Sequence, residues 1–238
     1  MTRSFNGRSA LVTGHASGIG AATAALLVES GARVVGVDVS QGRDVTSPAM
    51  WDALADELAD LDLAVVNAGI SSAGAIADMD FATWRRTLAV NLDGAMLTLR
   101  AALRAMIAHG RGGAIVVTAS ISGIKAEPGV GAYGASKAGV IQLARVAAKE
   151  GAAHGIRVNA IAPGGVDTPI WDQLDFFPAM VAEQGSREAA IDAMAKAATP
   201  LGRWASADEV ARQIAFLLSD DAANITGAVL TADGGYSL

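Results

Sequence analysis

Residues 9–38, SALVTGHASGIGAATAALLVESGARVVGVD, decide the fold. Ser9 to Thr13 is a short, mostly apolar run that reads as a strand ending in Gly14. His15, Ala16, Ser17, Gly18, Ile19 and Gly20 then open an Ala/Leu-rich helix to about Ser30. A second apolar run, Ala32 to Val37, reads as another strand, with Asp38 at its end. Strand, glycine turn, helix and strand are the context in which a glycine motif points to a dinucleotide. Gly14 permits the tight turn, Gly18 lets backbone approach a pyrophosphate, and Gly20 lets helix and strand pack closely. The helix N-terminus adds unpaired N–H groups and a dipole that favours phosphate. Glycines also punctuate ordinary turns, and Asp38 alone could be a loop cap; the following strand weights the reading towards nucleotide. An acidic residue at Asp38 accepts hydrogen bonds from an adenosine ribose and repels a 2′-phosphate. No Arg or Lys adjoins Asp38 or stands at Ser17, so NAD is expected over NADP.

The whole chain narrows the class. Its 238 residues suit one α/β domain, 1–238, with no linker or internal repeat. Eighteen Lys and Arg against 24 Asp and Glu give a net charge of −6, which argues against nucleic acid or an anionic membrane as partner. With no cysteine, disulfides, thiolate metal sites and thiol nucleophiles are excluded. His15, His109 and His154 lack ligand spacing, so no metal is expected. The opening MTRSFNGRSALVTG lacks a signal peptide's apolar core and no apolar run is of spanning length, so a soluble cytoplasmic protein is expected.

Further along, Ser47 to Leu58 reads as a helix capped by Ser47 with Pro48 in its first turn. Leu63 to Val66 is a strand running into Asn67-Ala68-Gly69. Asp80 to Ala108 is a long helical stretch interrupted by Asn91 and Gly94; Asn is a poor helix-interior residue, so Asn91 invites an explanation. Ala114 to Val117 delivers Ser120 to a strand end. Tyr133 and Lys137 then fall four apart, on one face of a helix continuing to His154. A phenol with a pKa of about 10 is a poor base at neutral pH, and an ammonium one turn away is expected to lower it. Ser120 could hold a substrate oxygen within reach. Ile156 to Ile161 is another strand, followed by Pro163-Gly164-Gly165-Val166-Asp167-Thr168. Ser206 to Leu218 has a capping-box pattern with Glu209, and Gly227 to Thr231 makes a last strand.

TGHASGIG, Asn67-Ala68-Gly69, Asn91, Ser120, Tyr133-x-x-x-Lys137 and Pro163-Gly164 occur in the order of the short-chain dehydrogenase/reductase family, which the chain resembles over essentially its whole length. The resemblance implies a Rossmann-type, doubly wound parallel sheet with helices on both faces. It also implies a nicotinamide cofactor across the sheet's carboxyl edge and hydride transfer between a secondary alcohol or ketone and NAD. It makes Tyr133 the general base or acid, with Ser120 orienting the substrate and Lys137 also holding the nicotinamide ribose. Asn91 would hold a relay water. Asn67, Ala68 and Gly69 would back the cofactor, while Pro163, Gly164, Val166 and Thr168 flank the nicotinamide. A homotetramer is implied, with the 80–108 and 133–154 helices at one interface. One departure stands out: Asp44-Val45-Thr46, the segment expected near the adenine, follows Asp38 after only Val39 to Arg43. A parallel crossover needs roughly a dozen residues, so the intervening helix is expected to be absent and the third strand truncated. That puts the adenine contact of Asp44 in doubt.

Two rival readings are a non-redox enzyme on this fold, such as a lyase or epimerase, and an NAD-sensing binding protein. The intact glycines with Asp38 weigh against the first, and the complete Ser, Tyr and Lys set against the second. Residues 169–200, bearing Trp171, Phe176 and Phe177 near Leu174 and Pro178, read as a substrate lid or an oligomer contact. The segment from Asp167 to Glu183 carries Asp167, Asp172, Asp175 and Glu183 and no Lys or Arg, so a neutral or weakly polar substrate is expected, although Lys125 and Arg187 could move in.

Overall fold

A computed structural model describes residues 4–238; the first three residues of the expected leaderless N-terminus lie outside them. Six strands form one parallel sheet: β1 (Ser9–Thr13), β2 (Arg33–Val37), β3 (Leu63–Val66), β4 (Gly113–Thr118), β5 (Ile156–Pro163) and, numbered last in the chain, β8 (Val229–Ala232). Their order is β2-β1-β3-β4-β5-β8, reversing direction at β1. Continuous apolar runs such as LAVV and AIVV suit strands buried on both faces. Leu11, Ala64, Ile115 and Val117 face one core, while Ala10, Val12, Leu63, Val65 and Val116 face another.

Helices cover both faces. On the first core lie α2 (Pro48–Ala53), α4 (Gly94–His109), which continues α3 (Phe81–Leu88), and α5 (Gly131–Ala152). On the second lie α1 (Gly18–Glu29) and α8 (Ala207–Leu218). The capping box at the start of α8 is formed: Ser206 Oγ accepts from the Glu209 N–H, and the Glu209 carboxylate accepts from the Ser206 N–H at 2.9 Å. Between β5 and α8 lie β6 (Val166–Asp167), α6 (Phe177–Gln184), α7 (Arg187–Ala198) and β7 (Ala205–Ser206), with β6 paired to β7.

The expected truncation is present. After β2 there is one 3₁₀ turn, Val39–Gln41, and then α2; β3 pairs with the other side of β1, leaving β2 at the sheet edge. The expected 47–58 helix stops at Ala53 and gives way to turns. Asp56, Glu57 and Asp60 would crowd the negative end of a longer helix. The 80–108 stretch is not broken at Asn91: a π turn over Ala89–Asp93 joins α3 to α4, absorbing the asparagine without ending the helical path.

Candidate active site

A cleft of about 870 Å³ runs along the carboxyl edge of the sheet, where such folds bind ligands. Its floor is made by strand ends: Gly14 after β1, Asp38 after β2, Asn67 after β3, Thr118 and Ser120 at β4, and Pro163 at β5.

At one end the glycine turn is shaped for close approach. Gly14 and Gly18 have φ of +68° and +54°, left-handed values that side chains disfavour. A Cβ on Gly20 would collide with the Gly14 carbonyl and the Asn67 amide. Asn67 ties the turn to β3, donating from Nδ2 to the Thr13 carbonyl at 3.1 Å, while its own N–H donates to Thr13 Oγ1 at 2.9 Å. The Ala68 N–H donates to the same hydroxyl at 3.0 Å. Asp38 accepts from the Ser40 N–H at 2.9 Å, the Ser40 hydroxyl at 2.7 Å and the Ala16 N–H at 3.2 Å. Burial works to raise its pKa, but these hydrogen bonds outweigh it and hold the carboxyl below the usual range.

The neighbourhood of Asp38 differs from its sequence. Arg43 turns back to the free edge of β2, donating to the Gly36 carbonyl at 3.0 Å and to Glu57 Oε1 at 2.9 Å, and it lines the same cleft as Asp38. The lost crossover thus brings Arg43 to the cofactor end of the cleft, with its guanidinium committed to Gly36 and Glu57. Asp44 accepts from the Thr46 N–H and hydroxyl at 2.8 and 2.9 Å, which commits one carboxylate oxygen to its own turn. Val45 is buried, and its carbonyl accepts from Trp51 Nε1 at 2.9 Å.

At the other end, β4 presents Ser120 and the N-terminal turns of α5 present Tyr133 and Lys137. The Ser120 hydroxyl donates to the Tyr133 phenol. Lys137 is buried; its Nζ donates to the Thr118 carbonyl at 2.9 Å and lies 5.6 Å from the centre of the Tyr133 ring. Burial pushes the Tyr133 phenol above its ordinary pKa, with the Ser120 hydrogen bond opposing it, and pushes Lys137 down to about 8. The expected downward pull of Lys137 on the phenol does not dominate: burial raises the phenol, and the ammonium is aimed at the Thr118 carbonyl.

Asn91 is also buried and engaged: Oδ1 accepts from the Ile70 N–H at 2.8 Å, and Nδ2 donates to the Ile70 carbonyl at 2.9 Å and to Ser136 Oγ at 3.1 Å. Its side chain braces the loop after β3, leaving one Oδ1 lone pair as its remaining hydrogen-bonding capacity. Gly69 leaves room for this: a Cβ there would lie 3.2 Å from Asn91 Oδ1. Ser122 donates its N–H to Ser120 Oγ at 3.2 Å, as a turn residue does.

The wall beyond Pro163 and Gly164 is aromatic. Trp171 stacks on Trp204 at 4.4 Å and 15°, and its Nε1 donates to the Val166 carbonyl at 2.8 Å. Ile170, Leu174 and Phe176 line the cleft beside them. Arg187 does move in, but to the acids: it bonds Asp167 at 2.7 Å, Asp172 at 3.1 Å and the Thr168 carbonyl at 2.9 Å. Two of the four acidic groups read from sequence are thereby paired to one guanidinium. Trp204, Arg86, Glu127 and Tyr236 line the cleft without having been singled out from sequence; Gly165, whose Cβ would strike the Trp204 ring, is the local hint that something large packs there.

The described residues contain no helix long and apolar enough to cross a membrane, and no cluster of three or more His, Cys, Asp or Glu able to hold a metal ion.

Residues 14–237 match the family model described as enoyl-(acyl carrier protein) reductase. The chain is 42% identical to cis-4-hydroxycyclohexanecarboxylate dehydrogenase of Sinomonas cyclohexanicum, covering 100% of this chain and 99% of that protein. The chain belongs to the short-chain dehydrogenase/reductase family. Another member, the 2,5-dichloro-2,5-cyclohexadiene-1,4-diol dehydrogenase of Sphingobium indicum, is 35% identical over 98% of each protein. In structure the chain resembles carveol dehydrogenase from Mycobacterium avium in complex with NAD, with a TM-score of 0.89 at 27% identity, covering 99% of both chains. The expected family and Rossmann-type fold are thus borne out, and the chain is similar to dehydrogenases acting on cyclic alcohols.

Proposed function

We propose that this dehydrogenase/reductase transfers hydride between NAD and a secondary alcohol, or its ketone, on a six-membered carbocycle, with Tyr133 as the acid–base group. The observation that carries the reading is the convergence of Ser120, Tyr133 and the buried Lys137 on one end of a cleft that begins at Asp38.

The glycine cradle fits a dinucleotide. Gly14, Ser17, Gly18, Ile19 and Gly20 would hold the pyrophosphate at the N-terminus of α1. Asp38 would take the adenosine ribose, with Asp44 and Val45 flanking the adenine. Asn67, Ala68 and Gly69 would back the cofactor, and Pro163, Gly164, Val166 and Thr168 would flank the nicotinamide. When bound, the nicotinamide supplies the redox step. The chain's own task is the proton. Ser120 turns its hydroxyl to the substrate oxygen, and Tyr133 takes the proton in oxidation or gives it in reduction. Burial raises the phenol, which suits the proton donor that reduction requires; the Lys137 ammonium, largely charged below its pKa of about 8, offsets the phenolate that accepts the proton in oxidation and is left behind in reduction. Asn91 acts as a positioning residue, bracing the loop after β3 through Ile70.

Trp171, Leu174 and Phe176 suit an apolar ring, and the relatives named for cyclic alcohols support that class. The carboxylate of Asp38 and the NAD-bound neighbour support NAD over NADP. We further infer a cytoplasmic homotetramer. The exposed apolar side chains of Phe81, Met96, Ile107 and Val146 along α3, α4 and α5 support contact there, with residues 169–200 as the lid.

The test is the initial rate of NAD⁺ and NADP⁺ reduction with cyclohexanols, acyclic secondary alcohols and sugars. Cyclohexanols with NAD⁺ should react fastest, and Tyr133→Phe should lower kcat/KM about 10²- to 10⁴-fold while NADH still binds. Unaltered turnover in that variant removes Tyr133 from the mechanism, and a preference for sugars removes the carbocycle.

A further inference from the structure

The cleft has a second polar feature in the loop joining Ser120 to Tyr133. Lys125 Nζ lies 3.0 Å from Glu127 Oε1 and donates to the Tyr236 carbonyl at 3.1 Å. The same ammonium sits 4.0 Å from the centre of the Tyr236 ring. The Glu127 carboxylate also accepts from the Tyr236 hydroxyl. Three side chains from two distant segments therefore fix one another.

What this cluster shows to the cleft is uneven. Glu127 and Tyr236 line it, together with Ser120, Ser122, Val130 and Tyr133, whereas Lys125 does not. A ligand in the cleft thus meets Glu127 and Tyr236, with Lys125 outside the lining. Hydrogen bonds from Lys125 and Tyr236 hold Glu127 below the usual carboxyl range. Burial and the Glu127 carboxylate push Tyr236 up to about 12. At neutral pH the phenol donates to Glu127 and the carboxylate keeps acceptor lone pairs to spare. A hydroxyl on the ligand can satisfy one of those pairs. A ligand carboxylate brings like charge to the same place.

We propose that Glu127, oriented by Lys125 and Tyr236, accepts a hydrogen bond from a second hydroxyl of the substrate, so that the site selects cyclic diols over ring alcohols bearing a carboxylate. This rests on the dehydrogenase reading above and adds the chemistry of the group distant from the reacting carbon. Glu127 is a specificity residue here, acting on substrate binding and not on the proton.

The experiment compares kcat/KM with NAD⁺ for cyclohexanol, cyclohexane-1,4-diol and 4-hydroxycyclohexanecarboxylate in the wild type and in Glu127→Gln, a near-isosteric change. The wild type should prefer the diol to the carboxylate by at least about tenfold, the scale on which one pocket contact discriminates. Glu127→Gln should collapse that ratio by a similar factor. A wild-type preference for the carboxylate, or an equal effect of the variant on all three compounds, overturns the proposal. Failure of the wild type to oxidise any of the three counts against the dehydrogenase reading. Binding to the NADH complex, followed by tryptophan fluorescence, then decides. Tighter binding of the diol than of cyclohexanecarboxylate, lost in Glu127→Gln, upholds the site; equal or tighter binding of the carboxylate refutes it.

Discussion

Replacing Lys137 by methionine should stabilise the protein at neutral pH while removing its activity. Burial lowers the Lys137 pKa from 10.5 to about 8, so the folded state holds the ammonium at a cost. At about 1.4 kcal/mol per pH unit, that cost is roughly 3 kcal/mol wherever the group is charged. Methionine has similar length, fits a dry pocket, and carries no such penalty. Against this, the Thr118 carbonyl loses the donor 2.9 Å away, at a cost of about 1–2 kcal/mol. The net gain at pH 7 is about 2 kcal/mol, or roughly 4–8 °C in Tm for a chain of this size.

The sign changes with pH. The lysine pKa is lower folded than unfolded, so between pH 8 and 10.5 the unfolded chain binds more protons and wild-type stability rises with pH. Above that window the neutral amine still donates to Thr118, and the wild type becomes the more stable protein. Urea denaturation of both proteins at pH 7 and near pH 11 should show the two curves exchanging order. A Lys137→Met protein less stable than wild type at pH 7 would refute the reasoning, because the burial penalty would then be smaller than one hydrogen bond.

Three other substitutions examine the cofactor end and the lid. Asp38→Ala should weaken NADH binding about tenfold or more by removing a charged acceptor, and should narrow the preference over NADPH; calorimetric titration of both cofactors checks it. Gly20→Ala drives a methyl into the Gly14 carbonyl, so cofactor binding should be lost, with a fall in stability of about 1–3 kcal/mol from overpacking, measured by thermal melting. Arg187→Ala breaks two exposed ion pairs and should change stability by no more than about 1 kcal/mol. It also frees the Thr168 carbonyl and unmasks Asp167 and Asp172, so KM should rise several-fold in initial-rate assays.

Local chemistry made much of this molecule readable. Gly14 and Gly18 take left-handed backbone values that glycine tolerates, so the turn announces itself in a short motif. Tyr133 and Lys137 share one helix, where a spacing of four gives one face, and the Ser206–Glu209 cap closes within a single turn. The brevity of the 39–43 segment likewise foretold a missing crossover. What escaped was set by distant packing. Trp204 reaches Trp171 across α6 and α7, and Tyr236 meets Glu127 from the far end of the chain. Arg43 returns to β2 because nothing intervenes to carry it away. The electrostatics of Tyr133 depend on the fold for a related reason: spacing reveals which groups are neighbours, whereas the aim of the Lys137 ammonium at the Thr118 carbonyl comes only with the fold.

The shortened route after β2 also bears on how the protein stays apart from its own kind. With no strand beyond β2, its outer side is a row of backbone groups able to pair with another chain. The strand is five residues long, and the Gly36 carbonyl is already taken by the Arg43 guanidinium, itself held by Glu57. A charged side chain folded over a short edge is a known guard against edge-to-edge aggregation. Deleting the crossover thus turned an interior strand into a border, and Arg43 keeps that border closed.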